Sequence, residues 1–133
     1  MDLTRVRFLG VHHIAIIATD YARSKRFYTE ILGGVVLDEN YRGDRDSWKL
    51  DVELAGGVRI ELFSFPDPPA RPTRPEAAGL RHLALAVADV PAALEVLRAR
   101  GVRTEELRTD EHTGKQMAFF FDPDDLPLEL YQG

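Results

Sequence analysis

Arg81-His82-Leu83-Ala84-Leu85 repeats Val11-His12-His13-Ile14-Ala15-Ile16 in the same local setting, and that pairing decides how the rest of the chain reads. A second matched pair lies towards the end of each half: Arg59-Ile60-Glu61-Leu62-Phe63 and Pro127-Leu128-Glu129-Leu130-Tyr131, each with one carboxylate between branched apolar neighbours. His82 follows His13 by 69 residues, and Glu129 follows Glu61 by 68. Asp20 and Asp89, 69 apart, close the opening strands, while Gly33 and Gly101, 68 apart, end the helical stretches. Four landmarks in one register point to tandem duplication of a single supersecondary unit.

Each copy reads β-α-β-β-β. Residues 11–18 alternate in the strand period, with His13, Ala15 and Ile17 on one face and Ile14, Ile16 and Ala18 on the other. Asp20 caps an amphipathic helix whose stripe is Phe27, Tyr28, Ile31 and Leu32, and Gly33 stops it. Val35 to Leu37, Ser47 to Leu54 and Val58 to Phe63 are expected strands, the last two joined across Gly56-Gly57. In the second copy, Arg81 to Val87 is a strand. Asp89 caps a helix that tolerates Pro91 in its first turn. Arg103 to Arg108, Gln116 to Phe121 and Leu126 to Tyr131 follow as strands, with Phe119-Phe120-Phe121 buried on both faces and a turn at Asp122-Pro123-Asp124-Asp125. The expected layout is an α+β single domain over 1–133: a first module at about 8–64, a proline-rich linker at 65–79, and a second module at about 80–133.

Size and charge narrow the function classes. A chain of 133 residues that is 44% hydrophobic suits one globular core. Its formal charge of −5 speaks against nucleic acid or an anionic membrane as the main partner, since both need a basic footprint, and leaves room for local basic clusters. Without cysteine there is no disulfide framework and no thiolate chemistry, so any metal falls to histidine and carboxylate. The opening Met1-Asp2-Leu3-Thr4-Arg5-Val6-Arg7 carries basic residues but leads into no apolar export segment. The expected location is cytoplasmic.

Strand parity turns His13, Glu61, His82 and Glu129 away from the apolar residues that pack beneath the helices. A lone strand histidine or glutamate is usually an ordinary solvent-facing residue. Here the same two types recur at matched positions, and two imidazoles with two carboxylates converging in a cleft suit one divalent ion, Zn²⁺ or Ni²⁺ first, then Co²⁺, Mn²⁺ or Fe²⁺. Parity places His12 on the helix side as a structural residue, and His112 in a loop. Trp48 is expected in the core or at a dimer interface rather than as a stacking platform.

The motifs His13-Ile14-Ala15-Ile16, Phe27-Tyr28-Thr29-Glu30-Ile31-Leu32-Gly33, Ile60-Glu61-Leu62, His82-Leu83-Ala84-Leu85, Phe121-Asp122-Pro123-Asp124 and Leu128-Glu129-Leu130 resemble the vicinal oxygen chelate superfamily, glyoxalase fold included. Within it they are most similar to lactoylglutathione lyase (glyoxalase I) and the small YaeR-type proteins. The resemblance implies a cupped eight-stranded mixed sheet, a homodimer, and metal ligation by His13, Glu61, His82 and Glu129. A Glu at position 61 resembles the lyases. Methylmalonyl-CoA epimerases commonly place Gln there, and fosfomycin-modifying transferases and extradiol dioxygenases use no ligand at that position.

The implied reaction converts a 2-oxoaldehyde–thiol hemithioacetal into a 2-hydroxyacyl thioester. A metal chelating vicinal oxygens would stabilise the enediolate, with Glu129 as base and Glu61 as its counterpart on the opposite side. An epimerase or dioxygenase on the same metal, or a non-catalytic small-molecule-binding protein of the antibiotic-resistance kind, are the alternatives. Arg45, Lys49, Arg74 and Lys115 are candidate cations for an anionic substrate, against the reading that they are solvated loop charges. Two departures from the resembled pattern are the run Arg71-Pro72-Thr73-Arg74-Pro75 and Asp125, which stands where many relatives have glycine.

Overall fold

Alternating exposure along the first strand shows which way the repeated residues face. In the computed structural model, which describes residues 5–133, Ile16 and Ala18 of β1 (Ile14–Ala18) are buried while Ala15 and Ile17 are exposed. The first four residues of the opening basic segment lie outside the described residues. Asp20 accepts a hydrogen bond from the Arg23 amide and starts α1 (Tyr21–Arg26). The helix then widens into one π turn, Phe27–Ile31, where the Thr29 hydroxyl donates to the Lys25 carbonyl at 2.7 Å. Side-chain donation to a carbonyl one turn back competes with the regular ladder. The widened turn buries both Phe27 and Tyr28, whose rings meet edge to face at 5.0 Å.

Three strands complete the first module: β2 (Val35–Arg42), β3 (Ser47–Glu53) and β4 (Arg59–Ser64). Between the last two, Gly56 and Gly57 both adopt φ near +80°, the backbone freedom that the Gly-Gly turn requires. The second module repeats the plan with β5 (Leu83–Val87), α2 (Val90–Ala99), β6 (Arg108–Thr109), β7 (Gln116–Phe121) and β8 (Pro127–Gln132). Asp89 caps α2 through the Ala92 amide at 3.0 Å, and Pro91 sits in its first turn. The strands form two four-stranded mixed sheets, ordered β1-β4-β3-β2 and β5-β8-β7-β6, with β1 parallel to β4 and β5 parallel to β8. The duplication read from spacing is therefore a duplication of topology.

Two expected strands have different extents. Strand β2 runs to Arg42 rather than ending at Leu37, because the polar run Asp38-Glu39-Asn40 continues to pair with β3 past a register shift between Val36 and Asp38. The expected strand Arg103 to Arg108 reduces to one bridge, Thr104 with Phe120, and the two residues of β6. Between them, Glu106 and Leu107 are exposed and make no ladder. Phe119, Phe120 and Phe121 are all buried.

One apolar cluster draws residues from both modules, with Tyr28, Leu50, Ile60 and Leu62 from the first and Val90, Leu94, Phe120 and Leu128 from the second. A polar strut crosses the junction. The Tyr28 hydroxyl donates to Asp122 Oδ2 at 2.8 Å, and Asp122 Oδ1 accepts the amides of Asp124 and Leu126. Burial pushes the Asp122 carboxyl above its ordinary range against those hydrogen bonds, and burial beside Asp122 pushes the Tyr28 phenol well up. The stretch from Phe65 to His82 contains neither strand nor α-helix and is held by Arg71, whose guanidinium donates to the carbonyls of Leu80 and Arg81.

Candidate metal centre

His13 stands one residue before β1 and Glu61 is the third residue of β4. Parallel pairing of Ala15 with Glu61 brings their side chains together, with His13 Nδ1 3.2 Å from Glu61 Oε2. The second module repeats the geometry. His82 precedes β5, Glu129 is the third residue of β8, and His82 Nε2 lies 3.5 Å from Glu129 Oε1. Both carboxylates are sunk into the sheet surface, Glu61 at 8% and Glu129 at 7% exposure.

Their partners differ in useful ways. Lys49 Nζ lies 2.8 Å from Asp51 and 3.8 Å from Glu61, and the Asp51 hydrogen bond raises the lysine above its ordinary range. His82 packs edge-on against Phe119 at 5.1 Å, and Arg81 Nη1 lies 3.0 Å from its Nδ1. A guanidinium only donates, so Nδ1 is the acceptor in this contact.

The donor set fits a divalent cation. Among the described residues, Lys49 is the cationic partner of Glu61, at 3.8 Å, whereas Glu129 has the His82 imidazole in that place. A carboxylate removed from water needs a compensating charge, which a neutral imidazole does not supply. Nitrogen and carboxylate oxygen together suit a borderline transition metal. Among the described residues, His12, His13 and Glu61 form the one group of three whose ligand atoms lie within 4.8 Å of one another; His82 and Glu129 do not join it. One chain thus presents two separate His–Glu pairs.

His12 corrects the sequence reading. It is exposed, with its Nδ1 2.9 Å from His13 Nδ1, instead of packing under the helix. The reason is local: β1 starts only at Ile14, so strand alternation does not govern residue 12. Trp48 is likewise not core; it is 39% exposed and stacked on Tyr21 at 5.5 Å. Of the four expected substrate cations, only Lys49 reaches a carboxylate of either His–Glu pair. Arg74 is paired with Asp125 at 3.0 Å and lies over Phe121. Arg45 and Lys115 are exposed and make no ion pair among the described residues. Asp125 adopts φ +65°, the conformation for which a glycine would serve.

The family model described as the glyoxalase/bleomycin resistance protein/dioxygenase superfamily matches residues 10–130. The chain belongs to that superfamily. It is 60% identical to YaeR of Escherichia coli over 122 residues, covering 92% of this chain and 95% of that one. It is 34% identical to the 2-epi-5-epi-valiolone epimerase of an Actinomyces species, covering 92% and 78%. Among solved structures, a glyoxalase family protein from Enterococcus faecalis superposes with a TM-score of 0.87 at 49% identity, covering 93% of this chain and 98% of that one. The two-sheet arrangement is therefore the superfamily fold, and the two His–Glu pairs are a candidate metal-binding site on it.

Proposed function

We propose that the protein is a divalent-metal enzyme that moves a proton between neighbouring carbons of a small substrate bearing vicinal oxygens. A 2-oxoaldehyde–thiol hemithioacetal is the first candidate, which would make the protein a glyoxalase I-like carbon–sulfur lyase. The observation that carries this reading is the repeated His–Glu pair with each carboxylate less than a tenth exposed. His13, Glu61, His82 and Glu129 would hold one ion, Zn²⁺ or Ni²⁺ first, with the two pairs contributed by two copies of the chain. When bound, the cation supplies Lewis acidity towards two adjacent substrate oxygens. Glu129 would take the proton from the carbon bearing the hydroxyl, Glu61, entering the cycle protonated, would give one to the neighbouring carbon, the hydroxyl proton would pass to the neighbouring oxygen, and transfer of the proton from Glu129 back to Glu61 would reset the pair. Low exposure keeps bulk water from that proton in transit.

The identity to a 2-epi-5-epi-valiolone epimerase favours a second reading, in which the proton returns to the same carbon from the opposite face. Two carboxylates on opposite sides would serve that as well. Loading the protein with each metal, adding methylglyoxal and a panel of thiols, and following thioester absorbance tests the lyase. Absence of turnover with every metal and thiol overturns it. Solvent deuterium appearing on unrearranged α-hydroxyketones would instead select the epimerase, and metal uptake without exchange on any of them would select a binding protein.

A further inference from the structure

The internal repeat preserves the His–Glu pairs but not what stands beside them. Phe119 and Glu129 are direct neighbours on β7 and β8, so they share a face with His82 close by. The guanidinium of Arg81 lies 5.6 Å from the Phe119 ring centre and that of Arg108 lies 5.4 Å from it. Two residues along the same strand, Phe121 carries Arg74 at 5.1 Å and Arg103 at 4.2 Å. Arg71, Arg74, Arg81 and Arg108, with both rings and the carboxylates of Glu76 and Glu105, border a cleft of about 270 Å³, and Arg103 lies outside it. At the matching positions the first module has His12, Asn40 and Asp51. The arginines and the aromatic floor therefore belong to one copy only, and metal ligation does not account for them.

The charges in this cleft are unevenly spent. Arg74 is committed to Asp125, and Arg71 to backbone carbonyls. Arg108 pairs with Glu105, yet both side chains are about half exposed, at 55% and 42%, so water screens that pair. Arg81 makes no ion pair among the described residues. A guanidinium stacked on a ring keeps its edge donors available, and two of them over one ring form a fork-shaped receptor for an oxyanion.

We infer that this cleft binds an oxyanion, a carboxylate or a phosphate, between Arg81 and Arg108 above Phe119. That the anion belongs to the substrate rests on the proposed function, because the cleft shares Phe119 with the His82–Glu129 pair; the anion site itself does not. The test is an NMR titration of the metal-free 133-residue chain with inorganic phosphate and with acetate at constant ionic strength. The amides of residues 116–121 report binding. Saturable shifts are expected, with affinity weakened about tenfold or more in Arg108→Gln and in Arg81→Gln and unchanged in Arg26→Gln. Tighter phosphate assigns a phosphorylated ligand, and tighter acetate a carboxylate. Shifts that never saturate with either anion, or affinities unaltered in both cleft variants, overturn the site. Anion binding without turnover sinks the proposed reaction alone, and turnover without anion binding sinks this inference alone.

Discussion

At the scale of single residues, Glu129 is the sharpest case. It is 7% exposed, its imidazole partner sits 3.5 Å away, and it holds a strand-centre position where its isostere would fit. Glu129→Gln is expected to lower kcat by about 10²–10⁴-fold while the thermal midpoint stays in place. Unchanged kcat would remove Glu129 as the base. Gly34 makes a different kind of demand. A Cβ there would meet Val52 Cγ1 at 2.3 Å and the Tyr28 carbonyl at 2.5 Å, where the Gly34 amide donates at 2.9 Å. Gly34→Ala is therefore expected to cost at least about 1–3 kcal/mol in a urea melt, the range for overpacking. The ligand candidates were legible because a duplicated residue type is a pattern. Gly34 was not, because close approach of β3 to the end of the helical segment leaves no mark beyond the glycine itself.

At the scale of elements, β2 is joined to α1 by polar side chains as well as packing. Glu39 accepts from the Tyr21 hydroxyl at 2.5 Å and from Lys25 Nζ at 2.9 Å. The Tyr21 hydrogen bond first, then Lys25, holds the Glu39 carboxyl below its ordinary value of 4.5. A lowered native value means that this contribution is fully present above the ordinary glutamate range and is lost as pH falls through the native value. Glu39→Gln should therefore be less stable than the parent by about 0.5–1.5 kcal/mol at pH 7, with the gap closing towards pH 3. Thermal midpoints of both proteins across that range check it; a gap independent of pH would mean the ionised carboxylate contributes nothing. The same polar run hides the full length of β2 from its sequence. Asp38, Glu39 and Asn40 are poor strand formers, and the pairing with β3 and the contacts to α1 that hold them extended are tertiary. The converse holds at Arg103 to Arg108, an expected strand in which only Thr104 and the β6 pair find partners.

At the scale of the whole molecule, the spacing of the duplicated motifs revealed two modules and four candidate ligands, whereas their meeting point depends on how modules are brought together, which spacing does not encode. Each module presents one His–Glu pair beside its own edge strand, β1 or β5, and within a chain the pairs stay apart. A complete four-ligand site then calls for the first pair of one copy to face the second pair of another. In a two-fold dimer that happens twice, giving two sites, each with His13 from one chain and His82 from its partner. Either His13→Ala or His82→Ala alone would spoil both sites. Unfolding the two variants together and refolding them as a mixture would produce mixed dimers in which one site carries both substitutions and the other carries none. With random pairing, about a quarter of all sites are then intact, so metal content and activity should each recover to about a quarter of the parent value. Chains that each build their own site would show no recovery at any mixing ratio, which would place the metal within a single protomer and overturn the shared arrangement.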